Sequence, residues 1–338
     1  MNISFQDWPK IDLHRHLEGS MRIETIRELA LKEKLDLPYD DQEAFNAEFQ
    51  VTADDERTLV CFISKFIWLR KLIADKEVLA RMTYEVVEDA AQDNVKYVEL
   101  RFNHYHLMKR GIAEEDMIQA INEGVELARK RYDIDVGLIC GISRELPPDI
   151  TDSTVDFAIR YMDRGIVGID LMNDERYGPE LFVSQYEKAR AAGLHATVHA
   201  GEAAGPINIV KAIQLLGAER IGHGTHIFWG EDADKVARDH NTMIECCLSS
   251  NVQTGAISDI HEHPIARIRE MGIPVSINTD DPGVSDINLT NEYHVAADVL
   301  GISPETLQKI LLETTDHIFR TDLKAELRTE IESYFQQN

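Results

Sequence analysis

Histidine and acidic residues stand in four short segments of this 338-residue chain, at spacings that suit metal binding. His14 and His16 are two residues apart, so on a β-strand their imidazole rings point to the same face. His199 and Asp280 belong to the segments TVHAGE and NTDDP. Three neutral imidazoles and one carboxylate suit a zinc ion with an open position for water, and zinc lowers the pKa of that water. On their own, His14 and His16 are more simply two half-exposed histidines, so the metal site depends on the fold bringing the segments together.

Three further residues in these segments could move protons or bind a ligand. Glu202 follows His199 by three residues and is the natural general acid or base, although an acidic residue stabilised at a helix N-terminus is the alternative. His223 lies between two glycines, where the backbone can approach a ligand, and could orient a water molecule or simply occupy a turn. Asp281 follows Asp280 directly, and two adjacent acids repel unless one meets a cation. This favours a site over a plain Asp-Asp-Pro turn.

Eight predicted β-strands would position these residues. The β-branched, apolar runs cover residues 10–14, 95–102, 135–142, 166–172, 195–200, 220–223, 242–248 and 274–279, mostly with helical patterns between them. This alternation predicts an α/β fold with a parallel sheet, and eight strands close a (β/α)8 barrel of the TIM type. The active site of such a barrel lies at the C-terminal ends of the strands, where His14, His199, His223 and Asp280 all fall. An open doubly wound sheet is the alternative, but no glycine-rich nucleotide motif supports it.

Two segments hold more helix than eight strand connections need. Residues 20–94, between the first two strands, carry two or three predicted helices, and one over 58–72 could cover the barrel mouth. Residues 286–338 are also helical and longer than one connection. No repeat, low-complexity tract or flexible linker divides the chain. We therefore predict a single domain over residues 1–338, with 20–94 as a helical insertion over the mouth and extra helices at the C-terminus.

Charge and cysteine content indicate the class of partner and the compartment. Lys and Arg number 35 and Asp and Glu number 60, which gives a net charge of −25 and opposes nucleic-acid binding. No apolar run approaches the roughly 20 residues of a membrane span, and the N-terminus lacks the pattern of a signal peptide. The four cysteines form no C-x-x-C pair, and the adjacent Cys246 and Cys247 suit buried thiols. A cytoplasmic protein with a small-molecule ligand is expected, and the sequence does not predict its oligomeric state.

Two other histidine pairs are predicted to lie outside the site. His104 and His106, in FNHYH after the second strand, are interpreted as satisfied loop histidines, with a place in the substrate pocket as the alternative. His261 and His263, in HEHP, are predicted to lie in an exposed loop before a helix that starts at a proline.

With these residues assembled, the chain resembles the adenosine deaminase family of metal-dependent purine deaminases, which are amidohydrolase-type barrels. The motifs PKIDLHRHLEGS, YVELRF, TVHAGE, RIGHG and NTDDP carry the resemblance, in this order between residues 9 and 282. The stretches CLSSNVQT and NTDDPGVSDINLTNEY look most like the bacterial adenosine deaminases and less like the related adenine deaminases. Zinc deaminases that act on nucleic-acid bases use a different signature with C-x-x-C, which this chain lacks.

The resemblance implies hydrolytic deamination of adenosine and 2′-deoxyadenosine to inosine and 2′-deoxyinosine, with release of ammonia, in purine salvage. It implies one zinc ion per chain, held by His14, His16, His199 and Asp280. It also implies that Glu202 protonates purine N1, that His223 and Asp280 orient the attacking water, and that Asp281 bonds to N7. The fourth strand ends in IDLMNDE without a lysine that could bridge a second metal, which favours a single ion.

Two departures from the family pattern concern the substrate. Glu18 stands where the family usually has the Asp that contacts the ribose 5′-hydroxyl, so the longer side chain shifts this contact. Where the family usually has D-L-A-G-D-E, this chain reads D-L-M-N-D-E. Asn173 keeps the backbone N–H that the family glycine gives to purine N3, and Asn tolerates a left-handed backbone, but Asn173 and Met172 add bulk. We expect His16, Glu18, Asn173 and Asp281 to contact the substrate.

Adenosine deamination is therefore the leading hypothesis, and three alternatives stand beside it. One keeps the reaction but acts on adenine or on an adenosine altered at the sugar. A second, a single-metal hydrolase of an amide or lactone, predicts that no aminopurine releases ammonia. A third, a purine-binding relative without activity, would have little reason to keep the metal-site and proton-transfer residues together.

Overall fold

The computed structural model describes residues 4–337, and a sheet of eight parallel strands forms its centre. The strands are β1 (Lys10–His16), β2 (Val95–Phe102), β3 (Asp135–Ser143), β4 (Ile166–Met172), β5 (His195–Ala200), β6 (Arg220–His223), β7 (Met243–Cys246) and β8 (Val275–Ile277). Each strand pairs in parallel with the next one along the chain, from β1 to β8. All eight predicted strands are confirmed, and β7 and β8 are shorter than expected.

The sheet closes on itself beside the predicted metal site. A parallel bridge joins Arg15 to Asp280, three residues beyond the end of β8. The backbone N–H of Asp280 donates to the carbonyl of His14 (2.7 Å), and the N–H of His16 donates to the carbonyl of Asp280 (2.8 Å). The predicted (β/α)8 barrel is thus confirmed over the open sheet, and its closing hydrogen bonds run through three predicted metal ligands.

Helices surround the strands, and four of them follow β8. They are α1 (Ile23–Lys32), α2 (Gln42–Ala47), α3 (Leu59–Ser64), α4 (Phe66–Leu72), α5 (Lys76–Gln92), α6 (His104–Lys109), α7 (Glu114–Arg129), α8 (Pro148–Arg160), α9 (Val183–Ala192), α10 (Ile207–Lys211), α11 (Ala233–Asp239), α12 (Leu248–Gln253), α13 (Ile265–Glu270), α14 (Pro282–Ser285), α15 (Leu289–His294), α16 (Pro304–Thr314) and α17 (Lys324–Gln337). Short 3-10 helices cover Phe5–Asp7, Glu18–Ser20, Met162–Arg164, Pro179–Phe182, Ile260–Glu262 and Thr315–His317, and π-helical turns cover Ala212–Leu216 and Val295–Val299. Within residues 4–337, no helix is both long and apolar enough to cross a bilayer.

The segment between β1 and β2 holds five α-helices, α1 to α5, where two or three were expected. The single helix predicted over 58–72 is wrong, because the chain forms α3 and α4 with a junction at Lys65. The buried Lys65 ammonium donates to the carbonyl of Ala47 (2.7 Å) and to the carboxylate of Asp55 (2.9 Å), which ties this junction to the preceding loop. Both helices line a cleft at the barrel mouth.

The barrel interior contains a network of charged side chains that the sequence did not predict. Arg101 lies 2.9 Å from Asp170 and 2.8 Å from Glu245, and all three are fully buried. Arg220 pairs with Glu245 (2.6 Å) and with Glu99. Buried charges require such partners, because an unpaired charge in an apolar interior is strongly destabilising. This network lies directly beneath the histidines of the site.

Candidate active site

The predicted metal ligands from β1, β5 and the segment after β8 converge at the barrel mouth. The Nε2 atom of His199 lies 3.2 Å from Nε2 of His14 and 3.3 Å from Nε2 of His16. Asp280 Oδ1 lies 3.3 Å from Nε2 of His14 and 3.2 Å from Nε2 of His16. Ligand atoms bound at ordinary lengths to a tetrahedral zinc ion are about 3.3 Å apart. The spacing of these four atoms therefore fits one small metal ion.

The opposite nitrogen of two of these rings determines what the inner nitrogen can do. Nδ1 of His14 lies 2.7 Å from Glu245, and Nδ1 of His199 lies 3.0 Å from Asp170. A carboxylate only accepts hydrogen bonds, so Nδ1 of His199 carries the hydrogen and its Nε2 presents a lone pair. Nδ1 of His14 lies 2.7 Å from the Arg101 guanidinium as well, which only donates, so this nitrogen stands between an acceptor and a donor. Burial lowers the pKa of His199 to about 3, which keeps the ring neutral. The lone pair on Nε2 of His199, which lies 3.2 Å from Nε2 of His14, is available to a cation bound between the two rings.

Other groups around the cluster agree with a bound cation. The ligand atoms of His14, His199, His223 and Asp280 all lie within 4.8 Å of one another, and His16, Asp280 and Asp281 form an overlapping group. Burial lowers the pKa of His16, but Asp281 and Asp280 outweigh this effect and raise it to about 9, because two carboxylates face the ring. The structure thus has a buried His and Asp group typical of a metal site.

His223 has other partners that orient its ring. The backbone N–H of Ile265 donates to Nδ1 of His263 (3.2 Å), so Nε2 of His263 carries the hydrogen and donates to the Asn251 side-chain oxygen (3.2 Å). The Asn251 amide in turn donates to Nδ1 of His223 (3.0 Å). The hydrogen of His223 is therefore on Nε2, which lies 3.5 Å from Glu202.

These hydrogen bonds correct the prediction for His263, and they identify Asn251 and His263 as two residues that support His223. His263 was predicted to lie in an exposed loop, which is wrong: it is buried against Asn251, whereas His261 is exposed. Neither Asn251 nor His263 could be assigned from local spacing, because they meet His223 only when α12 and the segment before α13 fold back over β6.

A left-handed backbone aims several site residues into the mouth. The φ angles of Asn173, His223 and Asp280 are +72°, +66° and +65°. Such angles cost energy in residues other than glycine and cluster at functional sites. Asn173 adopts the left-handed backbone that this residue type tolerates, and its side-chain amide lies 3.4 Å from Glu145.

Glu202 is buried after β5, on a loop held by another carboxylate. Glu175 accepts hydrogen bonds of 2.9 Å from the backbone N–H groups of Gly201, Glu202 and Ala203. Burial raises the pKa of Glu202 to about 8, and Asp280 and Glu175 add to the rise. Glu202 Oε1 has no hydrogen-bond partner within the described part of the chain. Glu202 can therefore hold a proton at neutral pH and offer it to a ligand; its support by Glu175 gave no signal in the sequence.

Asp281 presents a second buried carboxylate oxygen of the candidate site that lacks a hydrogen-bond partner in the described part of the chain. Its Oδ1 atom is buried and makes no hydrogen bond with residues 4–337. Burial raises the pKa of Asp281 well above its usual value, and the adjacent Asp280 raises it further. Asp280 itself directs Oδ2 to the Ser250 hydroxyl, which donates at 2.7 Å. Buried polar atoms without partners are uncommon in native proteins, so those of Glu202 and Asp281 indicate a ligand that would complete them.

These residues line one cleft at the barrel mouth. The cleft is lined by His16, Glu18, Leu59, Phe62, Ile63, Phe66, Arg70, Asn103, His106, Met172, Asn173, His199, Glu202, His223, Thr254, Asp280 and Asp281. Glu18 is buried here and accepts from the backbone N–H of Asn103 (2.9 Å). Of the FNHYH pair, His104 is held by Thr154 and Glu114 as expected, whereas His106 lines the cleft.

Comparison with known proteins identifies the family. A family model described as adenosine deaminase matches residues 9–334. This chain belongs to the adenosine deaminase family. The adenosine deaminase of Aliivibrio fischeri (strain MJ11) is 38% identical over 325 residues, which cover 96% of this chain and 97% of that protein. The resemblance predicted from the motifs is confirmed, and the chain is a hydrolase of the adenosine deaminase family.

Solved structures with the same barrel differ in their substrates. The adenine deaminase from Arthrobacter aurescens has a TM-score of 0.89 at 25% identity, covering 97% of this chain and 99% of that chain. The N6-mAMP deaminase from Arabidopsis has a TM-score of 0.86 at 32% identity, and the match again covers 97% of this chain and 99% of that chain. Two proteins that are structurally similar to this chain are thus named for different aminopurines.

Proposed function

We propose that this protein is a zinc-dependent deaminase that converts adenosine and 2′-deoxyadenosine to inosine and 2′-deoxyinosine, with release of ammonia, in purine salvage. One observation carries the proposal. The buried carboxyl group of Glu202, whose pKa is raised to about 8, lies in the same cleft as His16 and His199, whose Nε2 atoms converge with that of His14 beneath. Hydrolysis of a C–N bond on an aromatic ring at neutral pH requires a proton donor beside the metal-binding side chains.

His14, His16, His199 and Asp280 would hold one zinc ion. Three imidazole nitrogens and one carboxylate are a donor set that zinc prefers, and the Nε2 atoms of His14 and His199, 3.2 Å apart, fit it. His16 suits the fourth position better than His223, because Nε2 of His223 carries a hydrogen towards Glu202. When bound, zinc supplies a Lewis acid that makes water a nucleophile near neutral pH.

The protein's own residues would bind the purine and move the proton. Protonated Glu202 donates to purine N1, which draws electrons from C6 and makes that carbon open to attack by water. The Nε2–H of His223 and the carboxylate of Asp280 orient the water, and Asp281 hydrogen-bonds N7. The oxygen of water forms a bond to C6, the C6–N bond breaks, and the amino group leaves as ammonia to give the 6-oxopurine.

Replacement of Glu202 tests this mechanism. Metal-loaded protein is expected to convert the ultraviolet spectrum of adenosine to that of inosine and to release one ammonia per turnover. Glu202→Gln should lower kcat by about 10²-fold or more while the bound zinc stays unchanged, because a proton donor is removed and the ligands are kept. Loss of zinc together with activity would mean that Glu202 is structural.

An alternative keeps the reaction and changes the substrate to adenine or a sugar-modified adenosine. Glu18 and Asn173, which depart from the family pattern, both line the cleft and support it. The similarity to an adenine deaminase and to an N6-mAMP deaminase supports it as well. A substrate panel separates the two, since turnover of adenine far above that of adenosine contradicts the leading proposal. Absence of ammonia from every aminopurine would favour an amide or lactone hydrolase instead.

A further inference from the structure

Arg70 is a cationic side chain in the cleft that the proposed reaction does not use. It lies on α4, half-buried, and its guanidinium lines the cleft together with Phe66 from the same helix. Within residues 4–337, it forms no hydrogen bond within 3.5 Å and no ion pair within 4.0 Å, and its guanidinium carbon lies 5.8 Å from the centre of the Phe66 ring. The buried Arg101 and Arg220, by contrast, each pair with two carboxylates. A half-buried arginine without an anionic partner in a binding cleft is free to bind an anionic group of a ligand.

The position of Arg70 relative to the reaction centre indicates which part of the substrate it would meet. In the proposed reaction, C6 of the purine must face the metal-binding side chains and Glu202. The substituent on N9 is at the far side of the ring system, so it must extend towards the mouth. The mouth is formed by α3 and α4, which contribute Leu59, Phe62, Ile63, Phe66 and Arg70. The carboxylate that acts most strongly on Arg70 is that of Glu18, ahead of Glu145 and Asp281. The helix α4 packs against the 3-10 helix Glu18–Ser20, so Arg70 and Glu18 line the same side of the cleft, where the N9 substituent would emerge.

His106 adds a second polar group without a partner at this side of the cleft. Its ring makes no hydrogen bond in the described part of the chain, although it lines the cleft. Burial lowers the pKa of His106 to about 4, and the positive charges of Arg70 and Lys109 lower it further. The ring is thus a neutral hydrogen-bond donor set beside a cation.

The neighbouring acids leave Arg70 available for a ligand. Glu18 directs one oxygen to the backbone N–H of Asn103 (2.9 Å), and Glu145 accepts from the backbone N–H of Asp174 (3.1 Å). Neither forms an ion pair within 4.0 Å with Arg70. The apolar side chains of Phe62, Ile63 and Phe66 reduce the water around the guanidinium, which strengthens its attraction to an anion.

We propose that Arg70, assisted by His106, binds an anionic group on the N9 substituent, so that the preferred substrate is a 6-aminopurine whose sugar carries a phosphate or a carboxylate. A guanidinium suits both anions, because its planar fork donates two parallel hydrogen bonds to either. The inference rests on the proposed deaminase function. It develops the alternative in which the substrate is a sugar-modified adenosine, because it names the chemical group that the sugar carries.

Substrate selectivity tests the proposal. We expect the metal-loaded protein to have a kcat/KM at least tenfold higher for AMP or for adenosine 5′-carboxylic acid than for adenosine, and the preferred member identifies phosphate or carboxylate. Arg70→Gln should reduce this preference at least tenfold, and Arg70→Lys should retain part of it. Lys71→Gln is the matched control, because it removes the same charge from an exposed side chain that packs on Trp68.

Product binding separates failure of this inference from failure of the proposed function. Isothermal titration calorimetry would compare IMP, inosine 5′-carboxylic acid and inosine, which need no turnover. Tighter binding of either anionic product, lost in Arg70→Gln and kept in Lys71→Gln, supports the site even if no substrate in the panel is deaminated. If adenosine is deaminated but no anionic compound is bound or turned over better than its neutral counterpart, the inference is overturned and the deaminase function stands. A preference that survives in Arg70→Gln also overturns it.

Discussion

At the scale of single residues, the carboxylates behind the histidines matter as much as the metal-facing atoms. Glu245 contacts Nδ1 of His14 at 2.7 Å, and the same carboxylate pairs with Arg101 and Arg220. Those two arginines and the His14 contact outweigh burial and hold the pKa of Glu245 well below its usual value, so it is ionised. The negative charge of this partner favours a hydrogen on Nδ1, against the nearby Arg101 guanidinium, and increases the basicity of Nε2.

Replacement of Glu245 should therefore weaken metal binding. We expect Glu245→Gln to raise the zinc dissociation constant by about 10- to 100-fold, because the amide can bond to His14 without its negative charge. Competition with a chromophoric chelator would measure the change.

Glu99→Gln is the matched control for Glu245. Both carboxylates are fully buried and pair with Arg220, but Glu99 contacts no histidine of the site. Both variants should lose stability, and only Glu245→Gln should lose zinc affinity. Equal zinc affinities in the two variants would contradict a role for Glu245 in orienting His14.

At the scale of elements, the short 3-10 helix Glu18–Ser20 packs against the start of α14. A Cβ atom built on Gly19 would lie 1.7 Å from Oδ1 of Asp281, and one built on Gly283 would lie 2.5 Å from the carbonyl of Met21. The two glycines thus let the segment after β1 approach the segment after β8 closely enough to shape the cleft. The requirement at Gly19 is for space, since no left-handed backbone angle is found there.

A methyl group at Gly19 should displace Asp281. We expect Gly19→Ala to lower kcat/KM for the substrate by about 10²-fold, because a displacement of about 1 Å in a binding group has effects of this size. Steady-state kinetics with circular dichroism as a folding check would measure it. Gly205→Ala is the control, since a Cβ there meets no atom within 4 Å. Unchanged kinetics in Gly19→Ala would mean that Asp281 can move without cost to binding.

At the scale of the whole molecule, buried acids link stability to pH. Glu292 on α15 is fully buried and accepts from the backbone N–H of Ser249 (3.0 Å) and from the Ser249 hydroxyl. Burial raises the pKa of Glu292 to about 7, even though these hydrogen bonds oppose the rise. The folded state therefore binds a proton that the unfolded chain releases near its ordinary pKa, and stability falls as pH rises between the two values.

Glu292→Gln should remove this pH dependence. Relative to the parent protein, the variant should gain stability between pH 5 and pH 8, by up to about 3 kcal/mol, because the parent must ionise a buried carboxyl group. Urea unfolding at both pH values would measure the difference. The exposed Glu270→Gln should show no such gain. A constant difference between variant and parent across this range would contradict the prediction.

Much of the architecture could be predicted from the sequence, because it depends on local patterns. Each strand is a short apolar run, and its C-terminal end holds the residue that the barrel turns towards the mouth. His14, His16, His199, Glu202, His223, Asp280 and Asp281 all lie within or directly after predicted strands, and all but His14 line one cleft beside it. The break between α3 and α4 and the burial of His263 escaped prediction, because contacts with distant segments decide both.

The sequence by itself determined the barrel, the residue types that converge on its mouth and the class of chemistry they suit. Only the tertiary structure decided which nitrogen of each ring faces inward, through Glu245, Asp170 and Asn251, which lie 231, 29 and 28 residues from the histidines they orient. It also decided that Arg70 faces the cleft without a carboxylate partner. The physical reason is that hydrogen bonds and ion pairs between side chains act over about 3 Å, so they depend on strand register and helix packing that no local spacing encodes.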